Sequence, residues 1–285
     1  MKKNKDQSQK TTFAKKSFGQ NFLVDNSYVE KIIQELNPQP DEKIIEIGPG
    51  RGALTGRLIK SGANITAIEL DKDLVPLLVQ EFNSFENFSL IEGDALKLEF
   101  SKLVKDSNQS DKAKLVANLP YYISTAILQK LIENREVFIE LILMLQREVV
   151  ERITAKPGKT ERGYLTVLLE AFAETEKLFD VPPKAFRPVP KVWSSVVRVK
   201  FNQDSSTFYS IVKEKTFWKL VSCGFAQKRK TILNNLKNAP KELKYYFKSS
   251  ALNDVLENIE VEQSRRAETL SIEEWVKLGK ALLNY

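Results

Sequence analysis

The sequence predicts an α/β protein: a mostly parallel sheet covered on both faces, edged by an antiparallel hairpin and followed by a small all-α C-terminal domain. Three observations carry this expectation. Short apolar runs of strand length alternate with helix-length segments through the first half of the 285 residues. Two further strand-like runs then lie close together in the chain. Beyond residue 202 the pattern is helical.

In chain order, the first element is a helix over Asn26–Leu36, where Val29, Ile32, Ile33 and Leu36 recur at i, i+3, i+4 and i+7. Asp25 or Asn26 caps it, and Pro38 and Pro40 lie past its end. Apolar strands are expected at Lys43–Ile47, Ile65–Leu70, Phe88–Ile91, Lys114–Ala117 and Glu140–Leu145. Helix-compatible segments separate them at Leu54–Lys60, Leu74–Phe82 and Thr125–Asn134. Strands joined in this way pair in parallel and bury both faces of the sheet. Arg147–Ala155 and Tyr164–Ala173 continue the helical pattern. Lys177–Val181 and Ser195–Phe201, the second alternating as Val197/Val199/Phe201, form the edge hairpin. Between them Pro182–Pro190 is too rich in proline for regular structure. Asn202–Thr207 reads as a polar linker. Phe217–Phe225, Thr231–Leu236, Ala251–Leu256 and Ile272–Leu283 are the C-terminal helices. The resulting division is a basic tail over 1–16, a main domain over 17–202 and a helical domain over 203–285.

Composition narrows the chemistry. Hydrophobic residues make up 42% of the chain, enough for a proper core. No apolar run approaches the roughly 18 residues of a membrane span. Met1–Lys5 is basic, but polar residues follow where a signal peptide would be apolar. The single cysteine, Cys223, excludes an internal disulfide and a multi-cysteine zinc site, and suits a reducing compartment. The chain has no histidine, which removes histidine general bases, Ser-His-Asp triads and the common zinc sites. The net charge of +7 is concentrated in two places: residues 1–16 carry +5, residues 224–248 carry +6, and the remainder sums to −4. Two basic clusters on a mildly acidic body suit a polyanion, most simply nucleic acid.

Motifs sit where the strands end. Glu46-Ile47-Gly48-Pro49-Gly50-Arg51-Gly52 follows the first strand of the alternation, and its glycines allow a tight turn and close approach of a ligand to the main chain. Gly48-x-Gly50-x-x-Ala53 also matches a dinucleotide fingerprint, so the loop alone does not separate NAD from S-adenosylmethionine. Two features separate them. Glu46 places a carboxylate inside a strand end, where a methionine ammonium would meet it directly or through water. Glu69 and Gly93-Asp94-Ala95 end the next two strands, so Glu69 can take ribose hydroxyls and Asp94 an adenine amino group. That layout leaves no obvious pyrophosphate site and fits a nucleoside joined to an amino acid. At the end of a fourth strand stands Asn118-Leu119-Pro120-Tyr121-Tyr122. Pro120 has no N–H and biases Leu119 toward extended backbone. The Asn118 amide and Leu119 carbonyl then offer two acceptors, and Tyr121 a stacking face, for a planar amine such as adenine N6 or cytosine N4. Taken alone, this stretch is a strand end broken by proline with two packed tyrosines; its neighbours favour the amine site.

The residues resemble those of the small-subunit ribosomal RNA adenine dimethyltransferases, the kasugamycin-sensitivity methylases, from about Lys16 to the C-terminus. The shared motifs are Phe18–Leu23, Glu46–Gly52, Glu69-Leu70-Asp71, Gly93-Asp94-Ala95, Asn118–Tyr122, Phe186–Val192 and Phe225–Thr231. The resemblance implies a Rossmann-like class I methyltransferase that uses S-adenosylmethionine. By position, Gln20, Asn21 and Leu23 would meet the methionine portion, with Glu46, Gly48, Gly50 and Asn118 beside it. Glu69 would hold the ribose, and Asp94 with Ala95 the cofactor adenine. Asn118, Leu119, Pro120 and Tyr121 would hold the target adenine, with Phe186 stacking on its opposite side. Lys228, Arg229 and Lys230 would bind RNA. Trp193 departs from the family pattern, which has a small or acidic residue after the Lys191-Val192 pair.

The resemblance further implies a cytoplasmic monomer without metal, acting on small-subunit RNA in a pre-ribosomal particle. Two neighbouring adenosines near the end of that RNA would each be dimethylated. Three rivals stand beside this reading. A large-subunit RNA methylase conferring antibiotic resistance shares the chemistry, but Tyr122 and Phe225–Thr231 favour the small-subunit enzyme. An assembly or transcription factor that keeps the fold without activity is disfavoured by the intact Glu46, Asp94, Asn118 and Tyr121. An NAD-dependent oxidoreductase is the most distant.

Overall fold

The computed structural model describes residues 20–104, 112–120, 122–202, 209–244 and 252–283. Strand β1 (Phe22–Leu23) and helix α1 (Asn26–Leu36) precede an alternation of strands and helices. It runs β2 (Lys43–Ile47), α2 (Thr55–Lys60), β3 (Asn64–Glu69), α3 (Val75–Phe82), β4 (Phe88–Glu92), α4 (Phe100–Val104), β5 (Ala113–Asn118), α5 (Ser124–Glu133) and β6 (Phe138–Gln146). Helices α6 (Arg147–Ile153) and α7 (Tyr164–Glu170) lead to β7 (Ala173–Val181), β8 (Phe186–Arg187) and β9 (Ser194–Phe201). Among the described residues six more helices follow: α8 (Tyr209–Val212), α9 (Lys215–Gly224), α10 (Ile232–Lys237), α11 (Lys241–Lys244), α12 (Leu252–Asn258) and α13 (Ile272–Leu282).

Seven strands make one sheet in the order β4-β3-β2-β5-β6-β9-β7. The pairs β2/β3, β3/β4, β2/β5 and β5/β6 are all parallel. The apolar runs of the central strands β2, β5 and β6 are buried on both faces, with Ile44, Ile45, Leu115, Val116, Leu141 and Ile142 each at 2% exposure or less, whereas β4 at the edge is only partly buried. This is the covered parallel sheet that the strand–helix rhythm predicts. The chain works outward from β2 to β4 and then returns to place β5 on the other side of β2. That reversal opens a crevice at the carboxyl ends of β2 and β5, where a sheet of this kind takes its ligands.

The last two sheet strands run in opposite directions. Ser195 Oγ donates to Asp180 Oδ1 at 2.5 Å, Arg198 Nη1 reaches Glu176 Oε2 at 3.5 Å, and the Asn202 N–H donates to the Phe172 carbonyl at 3.0 Å. The antiparallel edge is therefore present, and β7 is longer than expected. Helix was expected over Tyr164–Ala173, but α7 stops at Glu170 and Ala173 already belongs to the strand. Charged Glu174, Glu176 and Lys177 obscure its alternation.

Contacts divide the chain into two compact units: residues through Leu145 with Asp180–Val196, and Gln146–Phe179 with Val197 onward. The sequence expectation drew one boundary near residue 203, with part of the 202–207 linker and the whole 1–16 tail lying outside the described residues. Long-range bonds place Gln146–Phe179 with the C-terminal helices. Wholly buried Arg162 forks onto Glu170 at 2.5 and 2.6 Å and also donates to the carbonyls of Ala155 and Leu270. The Gly158 N–H donates to the Glu268 carbonyl at 2.9 Å, and Tyr164 and Phe172 pack on Trp218. Losing the Glu170 carboxylate would leave a buried cation unpaired, which is far costlier than losing a surface pair.

In the first unit, α1 lays Val29, Ile32 and Leu36 inward, and Asp25 caps it by accepting the Ser27 N–H at 3.0 Å. The glycine loop after β2 turns through Gly52, whose φ is +76°. A Cβ there would stand 2.4 Å from Cε2 of Phe82, a core residue of α3. Gly52→Ala is therefore expected to lose on the order of 3 kcal/mol, from left-handed backbone strain and overpacking together. Urea unfolding of the two proteins measures this.

Candidate active site

The carboxyl ends of β2, β3, β4 and β5 open onto one cleft. Gly48 and Gly50 line it after β2, Glu69 and Asp71 at the end of β3, Gly93 to Ala95 after β4, and Asn118 to Pro120 at the end of β5. Gln20, Asn21 and Phe22 close another side. They are held there by β1, which pairs antiparallel with β8 as Phe22↔Arg187 and Leu23↔Phe186. The Phe22 ring lies over the glycine loop, with the Arg51 guanidinium 5.1 Å from its centroid.

Hydrogen bonds knit these strand ends together. Glu69 accepts the Gly50 N–H on Oε2 at 3.2 Å and the Asp71 N–H on Oε1 at 2.8 Å. Gln20 Nε2 donates to Asp71 Oδ2 at 2.8 Å, and Asn118 Nδ2 donates to the Asn21 carbonyl at 3.0 Å. The N-terminal segment is thus tied to both β3 and β5. Asp94 Oδ1 accepts the Leu96 N–H at 3.0 Å, which shapes the turn after β4. A Cβ built on Gly48, whose φ is +68°, would have the Asn118 carbonyl oxygen as its nearest neighbour, 4.0 Å away. The bare glycine keeps that space between the loop and Asn118 open.

At the end of β5 two acceptors stand together. The Leu119 N–H donates to the Met144 carbonyl of β6 at 3.2 Å, but the Leu119 carbonyl receives no donor among the described residues. The Asn118 amide spends an N–H on Asn21, so its Oδ1 is turned to the other side and also receives no described donor. Tyr122, 60% exposed, stands at the cleft beside them.

Glu46 is placed differently. Its carboxyl does not line the cleft; it is 2% exposed and accepts the Thr55 hydroxyl of α2 at 2.7 Å. Burial pushes its pKa up to about 7 against the bond from Thr55, and the nearby Glu69 charge adds to the rise. Burial raises Glu69 as well, with the Asp71 and Gly50 N–H groups opposing. Of the two, only Glu69 lines the cleft, which therefore carries an acid that burial disfavours as an anion, a setting that a cationic ligand relieves.

Most of the expected residues come together here: Gln20, Asn21, Gly48, Gly50, Glu69, Asp94, Ala95, Asn118, Leu119 and Pro120 all line the cleft. Leu23 and Phe186 do not; they face each other across the β1/β8 ladder at 6% and 1% exposure. Tyr121 lies outside the described residues, as do Phe18 and Gly19 of the first motif. In the other unit Lys228, Arg229 and Lys230 are exposed between α9 and α10, and Lys228 Nζ reaches the Thr160 carbonyl at 3.4 Å. Sequence reasoning gave no role to Phe22, Asp71 or Tyr122. Asp71 had a signal, since it shares a motif with Glu69, but its bond to Gln20 joins residues 51 positions apart.

Residues 12–278 match the family model described as ribosomal RNA adenine dimethylase. The chain is 38% identical over 273 residues to a ribosomal RNA small subunit methyltransferase A of Hahella chejuensis, covering 93% of this chain and 92% of that one. It is 41% identical over 269 residues to the protein of the same name from Clostridium botulinum strain Loch Maree, covering 94% and 93%. Among solved structures, a dimethyladenosine transferase from Plasmodium falciparum superposes with a TM-score of 0.75 at 27% identity, covering 90% of this chain and 95% of that one.

The Glu46 carboxyl sets a pH dependence. An unfolded glutamate titrates near 4.5, whereas folded Glu46 holds its proton to about 7. The folded state binds more protons between those values, so stability falls as pH rises through that window. Glu69 acts with the same sign. Glu46→Gln is expected to flatten this slope and to gain in urea midpoint over the wild type as pH rises from about 5 to about 8. An equal gain at every pH would assign the effect to packing instead.

Proposed function

The chain belongs to the ribosomal RNA adenine dimethylase family, a family of S-adenosylmethionine-dependent methyltransferases. From that membership we propose that it dimethylates N6 of two adjacent adenosines in the 3′-terminal hairpin of small-subunit RNA. It does so during assembly of the subunit, as a cytoplasmic monomer. No helix among the described residues is long and apolar enough to cross a membrane. The observation that carries the assignment of the reacting site is the pair of open acceptors, Asn118 Oδ1 and the Leu119 carbonyl, on the cleft that the glycine loop and Glu69 share.

S-adenosylmethionine fits the residues present. Each oxygen of the Glu69 carboxylate accepts one N–H and keeps a lone pair for a ribose hydroxyl. Asp94 and Ala95 would take the adenine, and Gln20, Asn21 and the Gly48 backbone the methionine end. Bound there, the cofactor supplies an electrophilic methyl on a positively charged sulfur.

The protein's own part is alignment. Adenine N6 is a poor nucleophile because its lone pair is delocalised into the ring. Two hydrogen bonds donated by N6, one to Asn118 Oδ1 and one to the Leu119 carbonyl, fix both amino hydrogens and favour a more tetrahedral nitrogen with its lone pair available. The alkylated nitrogen is acidic and releases its proton afterwards, so a histidine-free chain lacks nothing for this step. Tyr121 would stack on the base once it leaves its stack in the RNA, an interaction worth roughly 1–3 kcal/mol. Phe186 supports this arrangement from below by holding Leu23 and β1 in place.

Asn118→Ala is expected to cut methyl transfer by at least about 100-fold, while binding of S-adenosylmethionine and RNA survives. Incorporation of labelled methyl groups and calorimetric titration of the cofactor check the two halves, and full activity would remove Asn118 from the reaction. Neutralising Lys228, Arg229 and Lys230 together is expected to weaken RNA binding. The log–log salt slope should fall by about 0.7–0.9 for each phosphate that is no longer neutralised. An unchanged slope would place these side chains away from RNA.

A further inference from the structure

We propose that the segment from Pro182 to Trp193 is a platform for single-stranded RNA beside the acceptor site. Trp193 stacks on an unpaired base, and Lys184, Arg187 and Lys191 hold phosphates. The proposal deepens the RNA-methylation reading and rests on it for the nature of the substrate.

Exposure of Trp193 needs a reason. Of the three tryptophans, Trp275 is wholly buried and Trp218 is partly buried with its indole N–H donated to the Val212 carbonyl at 2.7 Å. Trp193 is 47% exposed, and Val192 and Val189 near it are 42% and 56% exposed. Three large apolar side chains within five residues are held in water at a cost that a partner would remove.

Charge identifies the partner. The segment 182–193 contains Lys184, Arg187 and Lys191 and no acidic residue. All three cations are exposed, and none makes an ion pair among the described residues. Arg187 Nη1 donates to the carbonyls of Lys184 and Phe186 at 3.1 and 2.9 Å, which holds the guanidinium in place and leaves its other N–H groups for an anion. Cations interleaved with an aromatic face are the means by which proteins hold single strands, the charges following the backbone and the ring taking a base. A second copy of this chain would set the same cations against one another. Four prolines restrict the segment's backbone beforehand, so little freedom is lost on binding.

Position identifies the role. Arg187 stands across the β1/β8 ladder from Phe22, and Phe22 lines the cleft. The platform therefore begins one strand away from the cleft wall and suits a nucleotide flanking the methylated base. It lies in the same compact unit as the cleft.

Trp193 is the most exposed tryptophan and so reports directly on the platform. Titration with a single-stranded RNA of about 10 nucleotides is expected to quench its emission and shield it from acrylamide, and Trp193→Phe should abolish that quench. On unmethylated small-subunit particles, Trp193→Ala is expected to raise the KM for the particle about 5- to 100-fold. The KM for S-adenosylmethionine should not change, and Trp193→Phe should restore most of the loss. The paired change Lys184→Ala and Lys191→Ala should lower the salt slope of RNA binding. Unquenched emission, unchanged KM in both Trp193 variants, or shielding by anionic vesicles in place of RNA would overturn the platform. The two readings fail separately. A wild-type protein that transfers no methyl group yet is still quenched by RNA defeats the proposed reaction and leaves the platform standing. A wild-type protein that methylates the particle while the Trp193 variants match it defeats the platform alone.

Discussion

The site hangs on one carboxylate. Glu69 ends β3 and accepts an N–H from the loop after β2 on one oxygen and from its own following turn on the other. Parallel strands end in loops that have no reason to hold a common shape, because the sheet ladder stops there. A buried carboxyl group that draws two backbone donors toward itself supplies that reason. Asp71, positioned by the same turn, then receives Gln20, and the segment before β1 is brought over the cleft. Asn118 completes the frame from β5 by donating to Asn21. A segment remote from the sheet in sequence thus becomes one of the walls.

That frame carries an electrostatic cost, which suits its purpose. Glu46 and Glu69 both resist ionisation because of burial. Neither is matched by a lysine or arginine salt bridge among the described residues, whereas buried Lys114 finds Glu42 and Glu140, and buried Arg162 finds Glu170. The contrast separates two uses of buried charge. Lys114 and Arg162 are paired internally and fix structure. Glu69, which lines the cleft, is stabilised in part by hydrogen bonds and remains responsive to a positively charged guest, while Glu46 lies behind it against Thr55.

The sheet was legible in the sequence because its signal is repetitive. Five apolar runs with helix-length spacers predict β2 to β6 to within two residues at either end, and α1 was expected over the eleven residues it occupies. Much of the cleft was legible too, since glycines and acids at successive strand ends converge wherever the strands are parallel. What escaped were features of two residues or of long range. The ladder between β1 and β8 is too short to show any period, and half of it lies in a stretch whose prolines argue against regular structure. The burial of Glu46 behind Thr55 depends on where α2 packs. The grouping of Gln146–Phe179 with the last helices depends on Arg162 reaching Leu270 across 108 residues, which no local pattern announces.

The bond from Asn118 Nδ2 to the Asn21 carbonyl also fixes which way round the amide stands. An asparagine free to flip would offer an acceptor to an amino base or a donor to a keto base with equal ease. Here the flip would put oxygen against oxygen at Asn21, so the acceptor face is the one kept outward, next to a carbonyl that can only accept. A guanine or hypoxanthine, bearing oxygen at the corresponding position, would meet lone pairs on both sides. On the proposed reading, the discrimination between an amino and a keto purine would be written into a tether on the opposite edge of the same side chain, and deamination of the target would erase it as a substrate.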